Sequence, residues 1–372
     1  MSTPTPMQGD DLRWPAEWEP QEAVWISWPH REDLWQGGLE ELQGCYADLA
    51  AAIGEETELR INAAQCLHTG IRSRLETRGA KRFELFDHPT NDVWCRDHGP
   101  IFTQRRDGGM QIADWSFNAW GGKFSPWNQD NAIPTRTAAS LRLPRLSSSV
   151  ILEGGAIEGN GEGLLLTTEA VLLNPNRNPG LTKADIEAEL HRMLGTASVF
   201  WLGAGIEGDD TDGHIDDMVR FVNPEAVVSI IEPDPHSPHY RNLAENNERL
   251  QDLRTLGGHK VEVIALPMPQ PLTAKDWRLE QLPASYANFL ICNGAVIVPI
   301  FCQDKEDDRA LGILRECFPG RRVVGIDARR LVIEGGAIHC ITQQQPAPPG
   351  IGSTPPSAFR AEVPQNGRRG KG

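Results

Sequence analysis

The chain has 372 residues, of which 39% are hydrophobic and 23% charged, values typical of a globular protein with a sizeable core. Its formal net charge of −15, without a basic patch before the last few residues, argues against nucleic-acid binding and is compatible with a small cationic ligand. The seven cysteines form no CxxC pair, so neither a disulfide framework nor a zinc site is indicated. A polar N-terminal segment without a secretory signal, free thiols and interrupted apolar segments predict a cytoplasmic protein that does not enter a membrane.

A pattern of two strands, a helix and a third strand recurs along the chain. The phrase EGGAI also occurs twice, at residues 153–157 and 334–338. Five such ββαβ units predict one pseudo-symmetric, propeller-like α/β domain. The copies span residues 22–63, 101–152, 163–202, 218–266 and 286–326.

Apolar periodicity and turn residues predict the elements within these copies. Residues 118–140, rich in Gly, Asn and Trp, interrupt the second copy and indicate a long loop. The predicted strands include residues 164–167, 170–173, 289–292, 295–301 and 322–326, and the predicted helices cover residues 183–194, 240–256 and 307–318.

The sequence predicts a single catalytic domain over residues 12–346. Residues 1–11 are expected to be a flexible N-terminus. Residues 347–372 are rich in Pro, Gly and Ser without apolar periodicity, so we expect a disordered tail.

Cys340 is the first candidate for catalysis. Glycines precede it, which would let the backbone approach a ligand closely, and glutamines follow it. A thiolate is the reactive form of cysteine, so a nucleophile here needs a cationic neighbour. A buried, inert cysteine is the alternative interpretation, and the glycine-rich polar context favours the nucleophile.

The acidic segment 209–217 contains His214 and Asp216. On a strand, residues two apart point to the same face, so the spacing predicts an imidazole beside a carboxylate. A metal site and a capped acidic loop are the alternatives. Hydrolytic metal sites usually offer more histidines or an HExxH spacing, so no metal is expected.

Two further carboxylates and two tryptophans lie in short, polar motifs. Asp97 stands between Arg96 and a Gly-Pro pair, and Glu153 ends a predicted strand; a structural ion pair and a turn residue are the respective alternatives. Trp94 and Trp120 could present aromatic faces to a cation, although core packing explains most tryptophans.

Taken together, these motifs resemble the agmatine deiminases, within the wider guanidine-modifying (pentein) superfamily of arginine deiminases, peptidylarginine deiminases and amidinotransferases. One departure concerns the residues before Ile338: the family usually has Gly-Gly-Gly-Asn where this chain has Glu-Gly-Gly-Ala, which bears on substrate choice. The matching phrases are PAEWEP at 15–20, WCRDHGP at 94–100, FNAWGG at 117–122, LEGG at 152–155, LNPNRNP at 173–179, DTDGHID at 210–216, YANF at 286–289 and IHCITQQQP at 338–346.

The resemblance implies a five-bladed α/β propeller and a role for each catalytic candidate. Cys340 matches the nucleophile, His214 the general acid/base and Glu153 the residue that orients the histidine. Asp97 and Asp216 match the carboxylates that hold the guanidinium. The distal amine of the substrate also needs a partner, and the candidates are Asp209, Asp210, Asp212 and the faces of Trp94 and Trp120.

The implied activity is hydrolysis of agmatine to N-carbamoylputrescine and ammonia, a step of putrescine and polyamine biosynthesis, through an amidino group linked to Cys340. No cofactor is expected, the partner is a small cationic guanidine, and a homo-oligomer is expected by analogy.

Other activities remain open at this stage. A peptidylarginine deiminase, another guanidine deiminase or an amidinotransferase would use the same residues. A papain-like protease would carry its cysteine before its histidine, the reverse of the order here. A non-catalytic polyamine-binding protein would not need Cys340.

Overall fold

The computed structural model describes residues 5–35, 38–274 and 281–349. Residues 1–4 of the expected flexible N-terminus and residues 350–372 of the expected disordered tail lie outside the described residues. Within the described part of the N-terminus, the backbone of Met7 exchanges two hydrogen bonds with the side chain of Gln111. None of the described helices is long and apolar enough to cross a membrane.

The described strands form five separate sheets with one common pattern. In every sheet a central strand pairs antiparallel with one neighbour and parallel with the other. In hydrogen-bonded order the sheets consist of Thr342–Pro346, Gln21–Ser27, Glu58–Ala63 and Phe83–Asp87; of Leu12–Arg13, Ile101–Arg105, Met110–Ser116 and Arg145–Ile151; of Ser198–Leu202, Leu164–Thr168 and Ile157–Gly159; of Val219–Asn223, Ala226–Ile231 and Glu262–Pro267; and of Leu290–Ile291, Ala295–Ile300 and Arg322–Asp327.

A helix connects each central strand to its parallel neighbour, because parallel strands need a long crossover. Lys183–Leu194 shows how the sequence specifies one. Thr182 and Asp185 form a capping box at its start, Gly195 ends it with φ of 71°, and the apolar side chains at helical spacing are buried. The crossover helices are Leu39–Ile53, Ile133–Leu141, Lys183–Leu194, Tyr240–Leu250 and Asp304–Cys317; the other helices are Glu32–Trp35, His68–Thr77, Cys95–His98, Ala119–Gly122, Glu169–Leu172 and Arg329–Val332, with 3-10 turns at Gly9–Asp11, Gln65–Leu67, Gly154–Ala156 and Ile215–Asp217.

The repeated strand–helix pattern is thus present in the described residues, but several predicted bounds were wrong. The antiparallel strand of the first sheet, Thr342–Pro346, lies outside the predicted copy 22–63, and the helix predicted for 240–256 ends at Leu250. Residues 170–173 are not a strand: Glu169–Leu172 is a single helical turn, and Ile157–Gly159 supplies the antiparallel partner instead. A short apolar run fits either structure, and here Val171 and Leu172 reach the core from a helix. Residues 118–140 are not all loop, because Ile133–Leu141 is a helix with Pro134 in its first turn.

The segments that enter the strands antiparallel to each central strand carry most of the chemically interesting side chains. Each such strand begins two to five residues after one of them. These side chains are Asp97 before Ile101–Arg105, Glu153 before Ile157–Gly159, His214 before Val219–Asn223, Asn288 before Leu290–Ile291 and Cys340 before Thr342–Pro346. Each of the five sheets thus contributes one segment to the candidate active site.

Candidate active site

Cys340 lies beside acidic and amide groups and is 4% exposed. Its Sγ is 3.0 Å from Nδ2 of Asn288 and 4.0 Å from Oδ2 of Asp216. Burial raises the pKa of the Cys340 thiol well above its usual range, and Asp216, Asp217 and Asp97 raise it further. The thiol form therefore dominates until a positive charge enters the site.

His214 is fully buried among three carboxylates. Its Nδ1 lies 3.7 Å from Oδ1 of Asp97 and 4.0 Å from Oδ1 of Asp216, and its Nε2 lies 3.8 Å from Oε2 of Glu153. Burial lowers the pKa of His214, but these carboxylates outweigh burial and raise it to about 10. The imidazolium, a proton donor, is thus the resting form at neutral pH.

His214 and Asp216 do not lie on a strand, so that expectation was wrong. His214 has φ of −56° and ψ of 141°, and Ile215–Asp217 is a 3-10 turn. The backbone N–H of His214 donates to Asp209 and to Thr211, which fixes this turn. The two side chains nevertheless converge, because the turn brings them to the same cluster.

Asp97 faces the histidine from the helical turn Cys95–His98, and Asp216 from the 3-10 turn Ile215–Asp217. Oδ2 of Asp97 accepts from Nε1 of Trp120 at 2.9 Å, and its Oδ1 accepts from the backbone of Gly155 at 3.1 Å. Burial raises the pKa of Asp97 to about 6, against the lowering effect of His214. A Cβ on Gly155 would lie 2.6 Å from Nδ1 of His214, so a side chain at that position would enter the cluster.

The carboxylate of Glu153 faces Nε2 of His214, whereas Asp97 and Asp216 face its Nδ1. Its Oε1 accepts from Nε of Arg177 at 2.8 Å, which leaves Oε2 toward His214. Burial raises the pKa of Glu153, but the adjacent His214 and Arg177 bring it below its usual value. An ionised Glu153 can therefore hold an imidazolium.

A cavity of about 220 Å³ leads to Cys340. The described residues that line it include five acidic side chains and no Lys, Arg or His, so it suits a cation. Glu334, Gly335 and Gly336 line it as well, whereas Ala337 is buried. Its aromatic walls are Trp35, Trp94, Trp120 and Phe124, and its acidic residues are Asp33, Asp92, Asp97, Asp210 and Glu334.

Every catalytic residue predicted from the sequence thus lies in the cluster or lines the cavity. Of the candidates for the distal amine, Asp210, Trp94 and Trp120 line the cavity, whereas Asp209 and Asp212 do not. Beside Cys340, Asn288 and His339 were not predicted, nor were the cavity-lining residues Asp33, Trp35, Asp92, Phe124 and Glu334. Asn288 donates to Sγ of Cys340 and accepts from the backbone N–H of Cys340 at 3.2 Å. His339 lies between Asp216 and Glu17. Asn288 belongs to the YANF phrase and His339 directly precedes Cys340. Both residues therefore lay in motifs that the sequence analysis noted, but no chemical role was predicted for either.

Within the described part of the chain, Asp216, Asp217 and Cys340 offer ligand atoms within 4.8 Å of one another. Each of these groups already has a protein partner. His339 binds Asp216, and Asn288 binds both Asp217 and Cys340. Such a hydrogen-bonded set fits a cysteine site better than a metal centre, whose ligands would need those lone pairs.

Comparison with known proteins places this geometry in a family. The model of the Porphyromonas-type peptidyl-arginine deiminases matches residues 13–346. An agmatine deiminase of Medicago truncatula is 41% identical over 362 residues, 90% of this chain and 96% of that protein. An agmatine deiminase of Pseudomonas aeruginosa (strain LESB58) is 37% identical over 369 residues, 94% of this chain and 99% of that protein.

A solved structure agrees with these relatives. The agmatine deiminase of Enterococcus faecalis superposes with a TM-score of 0.86 at 33% identity, over 93% of this chain and 99% of that one. Its likeness extends to the whole α/β architecture described above. Since the family model and these relatives cover most of the chain, it belongs to the Porphyromonas-type peptidyl-arginine deiminase family.

Proposed function

We propose that this protein hydrolyses agmatine to N-carbamoylputrescine and ammonia through an amidino group bound to Cys340. The observation that carries the proposal is the meeting of Cys340, His214, Glu153, Asp97 and Asp216 at an acidic, aromatic-walled cavity. The relatives named agmatine deiminase support the same substrate.

Asp97 and Asp216 hold the guanidinium. A planar guanidinium donates paired, charge-assisted hydrogen bonds to carboxylates, so these two side chains place its carbon near Sγ of Cys340. Trp94 and Trp120 line the path of the aliphatic chain, and Asp210 is a candidate partner for the distal amine.

The bound cation also activates the nucleophile. Burial and the neighbouring acidic groups raise the pKa of Cys340, and the positive charge of the bound guanidinium lowers it, so the thiol proton leaves to solvent. The thiolate then attacks the guanidinium carbon and gives a neutral tetrahedral adduct. Asn288, which donates to Sγ, stabilises the thiolate before attack.

His214 transfers the protons. The imidazolium protonates one nitrogen of the adduct, ammonia leaves, and a cationic amidino thioether remains on Cys340. Neutral His214 then takes a proton from water as the oxygen attacks the same carbon. Collapse releases the thiolate, the ureido product and one proton, which the ammonia takes up as ammonium.

The first test is ammonia release from agmatine, arginine and a peptidylarginine, with Cys340→Ser and the remote Cys66→Ser as matched variants. We expect turnover of agmatine, its loss in Cys340→Ser and its retention in Cys66→Ser, because Cys66 is exposed. Full activity in Cys340→Ser would rule out the covalent mechanism.

Peptidylarginine deimination is the second candidate, because the matching family model bears that description. The same catalytic residues would serve it. Turnover of the peptide but not of agmatine would select it, and transfer of the amidino group to an added amine rather than to water would instead identify an amidinotransferase.

We also propose that residues 12–346 form one catalytic domain whose five sheets are the blades of a pseudo-symmetric propeller. The common strand pattern of the sheets and their five contributions to the site support this arrangement. Seven free cysteines support a cytoplasmic location, where thiols stay reduced, and a role in polyamine biosynthesis follows from the product. A homo-oligomer remains part of the proposal by family analogy.

A further inference from the structure

His339 is buried between the carboxylates of Asp216 and Glu17. Its Nδ1 lies 2.6 Å from Oδ2 of Asp216, and its Nε2 lies 2.8 Å from Oε2 of Glu17. The His339 side chain is 1% exposed, so solvent does not compete for either bond.

The surroundings of His339 suit a ring that donates from both nitrogens. An ionised carboxylate only accepts hydrogen bonds, so a ring nitrogen bonded to one must donate. Glu17 has further donors: Nη2 of Arg220 lies 2.9 Å from its Oε2, and the backbone N–H of Ile291 donates to its Oε1. Arg220 also pairs with Glu158, and Nη2 of Arg96 lies 3.5 Å from Oε2 of Glu17.

The bond from His339 divides the two oxygens of Asp216. Oδ2 lies 2.6 Å from Nδ1 of His339 and 4.0 Å from Sγ of Cys340, whereas Oδ1 has no hydrogen-bond partner among the described residues and lies 4.0 Å from Nδ1 of His214. Oδ1 is therefore the oxygen that remains for a substrate. Since His339 precedes Cys340 in the chain, the same short segment sets both the nucleophile and this carboxylate.

We propose that His339, itself held by Glu17, is a positioning residue that keeps the Asp216 carboxylate ionised and turned toward the substrate guanidinium. This role rests on the proposed function for its substrate but on the local geometry for its mechanism. Without this bond, burial, which raises the pKa of Asp216, is no longer opposed by His339, and protonation of Asp216 is favoured.

A matched pair of variants separates the two bonds of His339. His339→Asn can keep a donor at the position of Nδ1, toward Asp216, and loses the bond to Glu17. His339→Gln can keep a donor at the position of Nε2, toward Glu17, and loses the bond to Asp216. Both replace the imidazole with a neutral amide of similar polarity, so a purely structural role affects them alike.

The kinetic readout is the KM for agmatine beside kcat, with thermal unfolding measured on the same samples. We expect His339→Gln to raise KM about 10- to 100-fold, the scale of a lost charge-assisted hydrogen bond, and His339→Asn to raise it about threefold or less. Loss of folded protein alone lowers the apparent kcat but leaves KM unchanged. Equal KM values in the two variants would overturn the proposal.

A second readout does not need turnover. Methylguanidine carries the cationic head group, so its dissociation constant, measured by calorimetry in a Cys340→Ser background, reports binding at Asp216 without reaction at the sulfur. We expect this constant to rise in His339→Gln by the same ratio as KM. A wild-type protein that ignores agmatine while His339→Gln weakens methylguanidine binding overturns the proposed substrate and keeps the role of His339; unchanged binding in His339→Gln overturns that role.

Discussion

The ionisation of Asp97 sets an acid limit for substrate binding. Burial raises the pKa of Asp97 to about 6, and the indole N–H of Trp120 counteracts this by donating to the anion. Only the carboxylate binds a guanidinium with full charge, so kcat/KM should fall as the pH drops through about 6. Trp120→Phe removes the donor, and we therefore expect the acid limb to move to higher pH.

A pH profile of kcat/KM from about pH 5 to about pH 8 measures this shift. Trp201→Phe is the matched control, because Nε1 of Trp201 donates to Glu187 on a surface helix, away from the cavity. An acid limb that stays in place in Trp120→Phe would show that Asp97 is not the group that titrates.

At the same scale, sequence reasoning found the residues whose chemistry is evident from their type. Cys340 and His214 are a thiol and an imidazole in polar, glycine-containing motifs, and such side chains suggest catalysis from the sequence alone. The role of His339 depends instead on burial and on Glu17, which is 322 positions away. No local pattern reports such a partner, so that role could not be predicted.

At the scale of the element, the 3-10 turn Gly154–Ala156 passes so close to the catalytic side chains that it leaves no room for a side chain at Gly155. A Cβ on Gly155 would lie 2.8 Å from Oδ1 of Asp97 and 3.1 Å from Oδ2 of Asp216, as well as against His214. Gly155→Ala should therefore lower kcat/KM by about 100-fold or more, since small misplacements of catalytic groups are costly.

Gly312→Ala is the control for that substitution. Gly312 lies within the helix Asp304–Cys317, and a Cβ there meets no atom within 4 Å. Helix propensity predicts a gain in stability of about 1 kcal/mol with unchanged activity. Steady-state kinetics and urea unfolding of both variants measure the two effects; an active Gly155→Ala enzyme would mean that the turn relaxes around the new methyl group.

Elements were predictable where local signals agreed. The helix Lys183–Leu194 has a capping box, helical apolar spacing and a terminal glycine, and its predicted bounds are those observed. Residues 170–173 offer only a short apolar run, which fits a strand or a helical turn equally well. The pairing of Leu164–Thr168 with Ile157–Gly159 decided the outcome, and that is a tertiary contact.

At the scale of the whole molecule, the two ends of the described fold meet in one sheet. Thr342–Pro346 pairs antiparallel with Gln21–Ser27, so the last strand completes the first sheet. Sequence repeats indicated five similar units, but the exchange of this strand between distant segments is set by tertiary pairing. A chain closed in this way should unfold as one cooperative unit, in accord with a single domain over residues 12–346.

The buried side chain of Arg220 connects segments that belong to several sheets. From the strand Val219–Asn223 it donates to Glu158 at 3.0 Å, to the backbone oxygen of Phe289 at 2.6 Å and to Glu17 at 2.9 Å, and it is fully buried. Arg220→Met would leave Glu17 and Glu158 buried without this cation. We expect a loss of about 3 to 5 kcal/mol in the free energy of unfolding.

Urea unfolding followed by both circular dichroism and tryptophan fluorescence tests this expectation. The control is Arg329→Met, because Arg329 is exposed and pairs with Asp327 two residues away, an arrangement worth less than about 1 kcal/mol. Since Arg220 joins segments of several sheets, both probes should shift together and keep a single transition. Two separated transitions in Arg220→Met would mean that the sheets unfold independently, and the single-domain proposal would then fail even if the stability loss had the expected size.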